Sequence, residues 1–155
     1  MIDAIRDVAD GIPEVVQWII LFVIGAVPFL EGYGAAFLGI VAGVHPALAI
    51  ALGVLGNVLS MLLFVAGGRY VHQRSGVPDE QLSPRQLRLR RALDRWGVPV
   101  VGIIGPSILP SQLTAAAMVG FGVRRGPVII WTTLGIIIWA VLAGLLALAI
   151  TGSFG

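Results

Sequence analysis

Hydrophobic positions fall into four long stretches, and most polar positions lie between them. A helix that crosses a bilayer needs about 20 consecutive apolar residues, because the hydrocarbon core is roughly 30 Å thick. The second and fourth stretches, residues 46–68 and 127–151, meet this requirement without interruption. The pattern therefore predicts two transmembrane helices.

The first and third stretches, residues 15–43 and 97–123, are each interrupted near the middle by Pro, Gly and polar residues, which favour turns. Each is predicted to form a helical hairpin whose arms have about 12 to 15 residues, or roughly 18 to 22 Å, and so reach the middle of the membrane without crossing it. The residues expected at the two tips are Pro28, Gly32, Gly34, Pro106 and Pro110.

The charges distinguish four crossings from two re-entrant hairpins plus two spans. All 10 basic side chains are Arg, and seven of them lie between Arg69 and Arg95. If the Arg-rich loop 69–95 is cytoplasmic, four crossings would also put the acidic segment 1–14 in the cytoplasm and would put Arg124 and Arg125 outside. Both placements contradict the positive-inside rule. Two re-entrant hairpins put residues 69–96, Arg124 and Arg125 in the cytoplasm and both termini outside. The charges favour this all-α, multi-pass architecture.

An internal repeat in the sequence agrees with this architecture. An offset of 81 places Pro46 on Pro127 and Glu31 on Gln112. Each half, residues 15–68 and 97–151, would contain one hairpin and one crossing, so the halves would be inverted, a recurrent transporter design with a midplane site. Irregular backbone at that depth must be covered by protein or water, so the two tips are expected to meet. Chance alignment of two Ala/Gly/Leu-rich halves is the alternative.

The segments outside these stretches are predicted to lie at the membrane surface. Residues 1–14 form a short amphipathic helix, and their acidic character is unlike a cleaved signal peptide, so they are expected in the mature protein. Residues 73–81 form a polar loop. Ser83 then caps a helix with Pro84 at its first position and Gln86 at its third.

This helix is amphipathic and is expected to lie at the cytoplasmic interface. Leu89, Ala92, Leu93 and Trp96 form its apolar face, and Arg88, Arg91 and Arg95 lie largely opposite. Anchoring is its expected role, with a specific lipid-headgroup or protein contact as the alternative.

Composition narrows the functional classes. Charged residues make up 12% of the chain and hydrophobic residues 57%, whereas an average soluble protein has roughly 25% charged residues. A soluble monomer is therefore disfavoured, and the arginines indicate topology rather than nucleic-acid binding. The chain has no Cys and none of the common nucleophile, phosphate-loop or zinc-protease motifs, so we expect no enzyme activity, cofactor or metal.

Glu31 is the strongest candidate for chemistry because it is the sole carboxylate in any apolar stretch. A charge there costs a few kcal/mol even on insertion-based scales, which favours the protonated form. A carboxyl group that can take up and release a proton can exchange it for a cationic substrate. The alternative is a structural Glu31 that is protonated or caps the second arm.

Other polar residues could complete a substrate or proton site. Tyr33 could offer Glu31 a hydroxyl partner, and Ser107, Ser111, Gln112 and Thr114 could form a pocket at the second tip or satisfy one another's hydrogen bonds. Asn57 lies mid-span among small residues that indicate helix packing, so it is either a site residue or part of that packing. The same two interpretations apply to Thr132 and Trp139. Arg124 and Arg125 are topology anchors that could also contact an anionic headgroup.

The motifs resemble a known family. Pro28-Phe-Leu-Glu31, the turn Gly43–Pro46 and Leu55-Gly-Asn57 resemble the first half of the bacterial small multidrug export membrane proteins, and Trp96-Gly97 with Gly105–Pro110 is similar to their second hairpin. That family in turn looks like a relative of the DedA (VTT-domain) proteins, which have two re-entrant hairpins. The resemblance covers about residues 15–145 and implies a bacterial cytoplasmic-membrane transporter.

Two departures bear on the site. Tyr33 stands where the family commonly has Arg after the tip Glu, and Pro110-Ser-Gln112 replaces a Pro-Gly-Thr-Gly-like second tip. The Arg expected in a DedA-type second hairpin is absent. The resemblance therefore implies a hydrogen bond between Gln112 and Glu31 rather than an ion pair between the tips.

Three functions follow as hypotheses. The first is proton-coupled transport of a small cationic or amphiphilic compound through Glu31. The second is DedA-like translocation of a lipid or isoprenoid-phosphate carrier, with Arg124 and Arg125 as headgroup ligands. The third is a membrane scaffold without transport. With so few spans, a closed pathway is expected to require a homodimer, and the Gly-rich faces would permit one.

Overall fold

The computed structural model describes residues 2–74 and 83–152, and within these ranges the protein contains seven α-helices and no strands. The predicted all-α class is confirmed. The helices are α1 (Ile2–Asp10), α2 (Glu14–Ala26), α3 (Glu31–Val41), α4 (Pro46–Arg74), α5 (Pro84–Ile104), α6 (Ser111–Gly120) and α7 (Arg125–Thr151), with a 3-10 turn at Gly105–Ser107.

Two of these helices are long and apolar enough to cross a membrane, as predicted: Pro46–Gly67 within α4 and Arg125–Thr151, which is α7. Only 39% and 28% of their apolar windows are buried, whereas the core helix of a soluble domain is mostly buried. Large apolar side chains are exposed along both helices, among them Leu55, Leu63, Ile130, Leu142 and Ile150.

Helix α4 continues to Arg74, six residues beyond the predicted end of the span at residue 68. Hydropathy marks where the apolar surface ends, whereas the hydrogen-bonded helix continues into the polar residues that follow. The predicted polar loop at 73–81 therefore starts later, and its residues 75–81 lie outside the described residues.

The first interrupted stretch forms two short helices at the predicted position. Helices α2 and α3 have 13 and 11 residues, or about 20 and 16 Å, so each is shorter than the hydrocarbon core. Val27–Leu30 connects them, and the Glu31 N–H donates to the Val27 carbonyl at 3.0 Å. The two helices pack against each other.

The second stretch is built differently, because its first arm is the C-terminal part of α5. Gly97 has φ 76° and ψ 178°, which breaks the helical geometry inside α5 in a conformation that favours glycine. The predicted amphipathic helix and the predicted hairpin arm are therefore two segments of one element. The 3-10 turn and Pro110 then lead into α6, which packs against α5.

The predicted start of the amphipathic helix is confirmed by a capping box. The Gln86 N–H donates to the Ser83 hydroxyl at 3.3 Å, and the Ser83 N–H donates to Gln86 Oε1 at 2.8 Å.

The predicted apolar face of this helix is divided, because Leu89 is fully buried within the protein whereas Trp96 is 53% exposed. A methyl group at Gly105 would lie 3.5 Å from the Leu89 side chain, so this part of the face packs on protein rather than lipid.

The chain divides into two compact units, Met1–Val58 with Ile136–Gly155 and Leu59–Gly135. A cluster of buried apolar side chains from α2, α3, α4 and α7 forms the core of the first unit: Leu21, Ile40, Val41, Ala49 and Ala147.

The predicted N-terminal helix is present as α1. Arg6 Nε donates to the Val41 carbonyl at 3.3 Å, and Gln17 Nε2 donates to the Ala9 carbonyl at 2.8 Å, so α1 is held against this unit.

Candidate functional site

Glu31 is the first residue of α3 and is only 3% exposed. It has a φ of 54°, and Phe29 has a φ of 74°; these are the two non-glycine residues with positive φ in the described ranges. Left-handed backbone is unfavourable by about 1–3 kcal/mol for residues other than glycine, and such strain is found most often at functional sites. The first tip thus combines a buried carboxyl group with a strained turn.

Tyr33 stabilises this turn. Its hydroxyl donates to the carbonyl of Phe29 at 2.9 Å, while its side chain is 38% exposed. The hydroxyl therefore bonds the backbone of a residue in the left-handed conformation. A role for Tyr33 in substrate or proton binding stays a prediction.

The tip residues lie where α2 and α3 cross α4 at close range. A methyl group at Gly53 would lie 2.7 Å from the Gly32 carbonyl oxygen, and one at Gly56 would collide with the backbone of Phe22 and Ala26. Only glycine permits so close an approach of two helices. Gly53 and Gly56 thus fix the position of the first tip on α4.

Asn57 belongs to the same crossing. It is 1% exposed and lies one helical turn after Gly53, so both residues are on one side of α4. Gly53 contacts Gly32, the residue that follows Glu31. Two predicted site residues, Glu31 and Asn57, therefore each lie within one helical turn of a residue in the Gly32–Gly53 contact between α3 and α4.

The second tip carries a different set of buried polar groups. Ser111, Gln112 and Thr114 are fully buried in the first turns of α6. The Ser111 hydroxyl donates to Gln112 Oε1 at 3.4 Å, and the Thr114 hydroxyl donates to the Leu109 carbonyl at 2.9 Å. Part of this cluster satisfies its own hydrogen bonds, one of the two alternatives that the sequence left open. The side chain of Ser107, which was assigned to the same cluster, lies outside the described part of the chain.

Pro106 and Pro110 shape this tip. Proline has no N–H group, so Pro106 cannot donate to the Gly102 carbonyl four residues earlier, as a helical residue would. The helix ends at Ile104 and the chain turns through the 3-10 segment before α6 begins after Pro110. Both prolines therefore lie in the interruption between α5 and α6.

Thr132 is a buried polar residue to which sequence reasoning gave no definite role. Within the described ranges, its hydroxyl is buried and has no hydrogen-bond partner. A methyl group at Gly102 would lie 3.0 Å from the Thr132 nitrogen, so Thr132 lies where α5 crosses α7. The hydroxyl of a helical Thr can donate to the carbonyl four residues earlier. The sequence does not show which Thr residues form this bond, so it could not predict the environment of the Thr132 hydroxyl.

The remaining predicted residues have simpler environments. Arg124 is exposed just before α7, and Arg125, half-buried, is the first residue of that helix. Glu31 belongs to the first unit and Gln112 to the second, and the meeting of the two tips stays a prediction. Across residues 2–74 and 83–152, no three His, Cys, Asp or Glu side chains are grouped where a metal ion could bind.

Comparison with known proteins gives no family assignment, since no family model, curated protein or solved structure matches the chain. The resemblance to the small multidrug export proteins therefore depends on the motifs alone and stays a prediction.

Proposed function

We propose that the protein is a small integral membrane transporter in which Glu31 exchanges a proton for a small cationic or amphiphilic compound. The observation that carries this proposal is the position of Glu31. It is the sole acidic residue in the apolar stretches, it is buried, and it lies at a strained turn. The next residue, Gly32, contacts Gly53, and the buried Asn57 lies one helical turn after Gly53.

Helix lengths support a membrane topology with two re-entrant hairpins and two spans. Helices α2, α3 and α6 have 13, 11 and 10 residues, too few to cross about 30 Å of hydrocarbon. Helices α4 and α7 are long enough, and their exposed apolar side chains are typical of surfaces that face lipid. In this topology the first tip lies within the membrane.

A recurring glycine contact supports the inverted repeat. On α4, Gly56 lies against the backbone of Phe22 in α2; on α7, Gly135 lies against the backbone of Gly102 and Ile103 in α5. Gly135 follows Gly56 by 79 positions and Gly102 follows Phe22 by 80. In both halves a glycine of the long helix therefore packs on the first arm, at separations one and two positions short of the offset of 81.

The proposed chemistry follows from charge neutrality in an apolar environment. A buried carboxylate is costly unless a proton neutralises it or a cation pairs with it. Binding a cation at Glu31 therefore favours release of the proton, and rebinding the proton favours release of the cation. Asn57 can donate and accept hydrogen bonds at the same crossing, so it could orient the carboxyl group or the substrate.

We test this with proteoliposomes that contain the wild-type protein, Glu31→Gln or Glu14→Gln. Glu14 is an exposed carboxylate at the start of α2, so its replacement controls for loss of charge alone. A panel of labelled cationic and amphiphilic compounds is followed under imposed pH gradients. Wild type and Glu14→Gln should show gradient-dependent transport of at least one compound, and Glu31→Gln should fall to the rate of empty vesicles. Full proton-coupled transport by Glu31→Gln would contradict the proposal.

The proposal includes a homodimer, because two spans per chain enclose little volume for a pathway. Crosslinking in native membranes tests this part separately. A crosslinked species at twice the monomer mass is expected, and a monomer at every crosslinker concentration would contradict it.

A further inference from the structure

The N-terminal segment of α5, residues 84–96, carries a cationic surface that transport through Glu31 does not use. Four arginines, spaced three or four residues apart along this segment, are all exposed: Arg85, Arg88, Arg91 and Arg95. Residues at this spacing lie on one side of a helix. We call these four residues the arginine face. Asp94 is the one exposed acidic residue of the segment, so the surface retains a net positive charge.

Other residues of this segment contact the rest of the protein. Leu89 is fully buried, and Arg90 is half-buried with its guanidinium 5.6 Å from the centre of the Phe121 ring. Arg90 therefore connects α5 to the end of α6 through a cation–π contact and does not belong to the arginine face. None of the four arginines has a partner among the described ion pairs, and Arg95 is the one that takes part in a described ring contact, with Trp96.

Trp96 marks the border between this cationic segment and the apolar arm. It is 53% exposed, and the Arg95 guanidinium lies 5.7 Å from its ring centre. Tryptophan is enriched at the level of lipid headgroups, because its ring is apolar and its N–H is polar. Gly97 then breaks the helical geometry, so the arginine segment need not follow the axis of the arm that enters the apolar region.

We propose that the arginine face binds the headgroups of anionic phospholipids. A guanidinium group matches a phosphate with two parallel hydrogen bonds, which a lysine ammonium cannot form, and every basic residue of the chain is arginine. From Arg85 to Arg95 the helix rises by about 15 Å, enough to contact more than one headgroup. This inference concerns the lipid environment of the protein and is independent of the transported compound.

The test measures lipid retention by the purified protein rather than transport. Wild type is equilibrated in detergent with mixed phosphatidylglycerol and phosphatidylcholine, and the bound lipids are counted by native mass spectrometry. Wild type should retain phosphatidylglycerol in clear preference to phosphatidylcholine. Arg88→Gln with Arg91→Gln should lower its affinity for phosphatidylglycerol by about tenfold or more, at roughly fivefold per arginine near an anionic surface. Because both arginines are exposed, the fold should be retained, as checked by circular dichroism.

Two control variants make the result specific. Arg124→Gln with Arg125→Gln removes the same charge from the two residues that the sequence offers as alternative headgroup ligands. Binding by the arginine face predicts that this variant keeps most of the lipid preference. Arg88→Lys with Arg91→Lys keeps the charge without the bidentate geometry and should give an intermediate affinity.

Four outcomes would overturn the proposal. They are no preference of the wild type for phosphatidylglycerol, an equal loss in the Arg124/Arg125 variant, displacement of the lipid by soluble glycerol phosphate at similar concentration, and a change of oligomeric mass in the Arg88/Arg91 double Gln variant without loss of lipid. Displacement by glycerol phosphate would identify soluble anions as the occupants, and the change of oligomeric mass would identify a second copy. These lipid measurements do not depend on transport. Full proton-coupled transport by Glu31→Gln, which would contradict the proposed function, would leave them unchanged.

Discussion

The two tips interrupt an apolar stretch in different ways and carry different chemistry. At the first tip, Phe29 and Glu31 adopt left-handed backbone and the carboxyl group of Glu31 is buried. At the second tip, Pro106 and Pro110 interrupt the helix, and the buried side chains are uncharged. One tip thus stores strain around an ionisable group, whereas the other turns through residues that lack an N–H donor. Of the two tips, only the first carries a buried ionisable side chain among the described residues.

Giving the second tip a carboxyl group should have the largest effect on stability. Gln112→Glu would bury a charge without a compensating cation, which is unfavourable by about 3–5 kcal/mol and should lower the apparent Tm by roughly 10 °C at pH 8. The loss should shrink at pH 5, where the carboxyl group is protonated and resembles the amide. Gln86→Glu is the matched control, because Glu preserves the capping box with Ser83. Thermal unfolding in detergent measures both, and equal Tm values would show that the second tip tolerates charge.

The glycine crossings should have the next largest effect, and they test whether the two halves are equivalent. Gly56→Ala and Gly135→Ala each force a methyl group into the backbone of a neighbouring helix. Overpacking of this kind is unfavourable by about 1–3 kcal/mol, or roughly 3–10 °C in apparent Tm. Gly67→Ala is the control, since a methyl group there has nothing within 4 Å. If only one of the two crossing variants unfolds at lower temperature, the halves are not equivalent.

The smallest effect separates two buried threonines of the second unit. Thr114→Val removes the donor to the Leu109 carbonyl and should lower stability by about 1–3 kcal/mol. Thr132→Val removes a hydroxyl that has no partner among the described residues, so it should be neutral or stabilising by up to about 1 kcal/mol. Unfolding of the two variants side by side measures the difference. A comparable loss in Thr132→Val would mean that Thr132 bonds a group in the folded protein.

Local sequence signals predicted the features that depend on local chemistry. The interruptions at residues 28–34 and 105–112 follow from Pro, Gly and polar residues, and the helix start at Ser83 follows from its capping box. The burial of Glu31 agrees with its position in an apolar stretch, because contact between a carboxylate and lipid is unfavourable.

Features that depend on tertiary packing could not be predicted in the same way. Positive φ at Phe29 and Glu31 is contrary to the preference of both residue types, so surrounding contacts must impose it. The burial of Leu89 and the exposure of Trp96 depend on which protein surface α5 meets, whereas periodicity shows only that the helix is amphipathic. The missing partner of the Thr132 hydroxyl likewise depends on its neighbours.

The most direct test of the central claim measures proton movement rather than compound uptake. Proteoliposomes hold a pH-sensitive dye, and compounds that the uptake panel identifies are added from outside to wild type, Glu31→Gln and Glu14→Gln. Exchange at Glu31 predicts that wild type and Glu14→Gln move protons against the compound while Glu31→Gln moves none above empty vesicles. Compound-driven proton movement of wild-type size in Glu31→Gln would contradict the account.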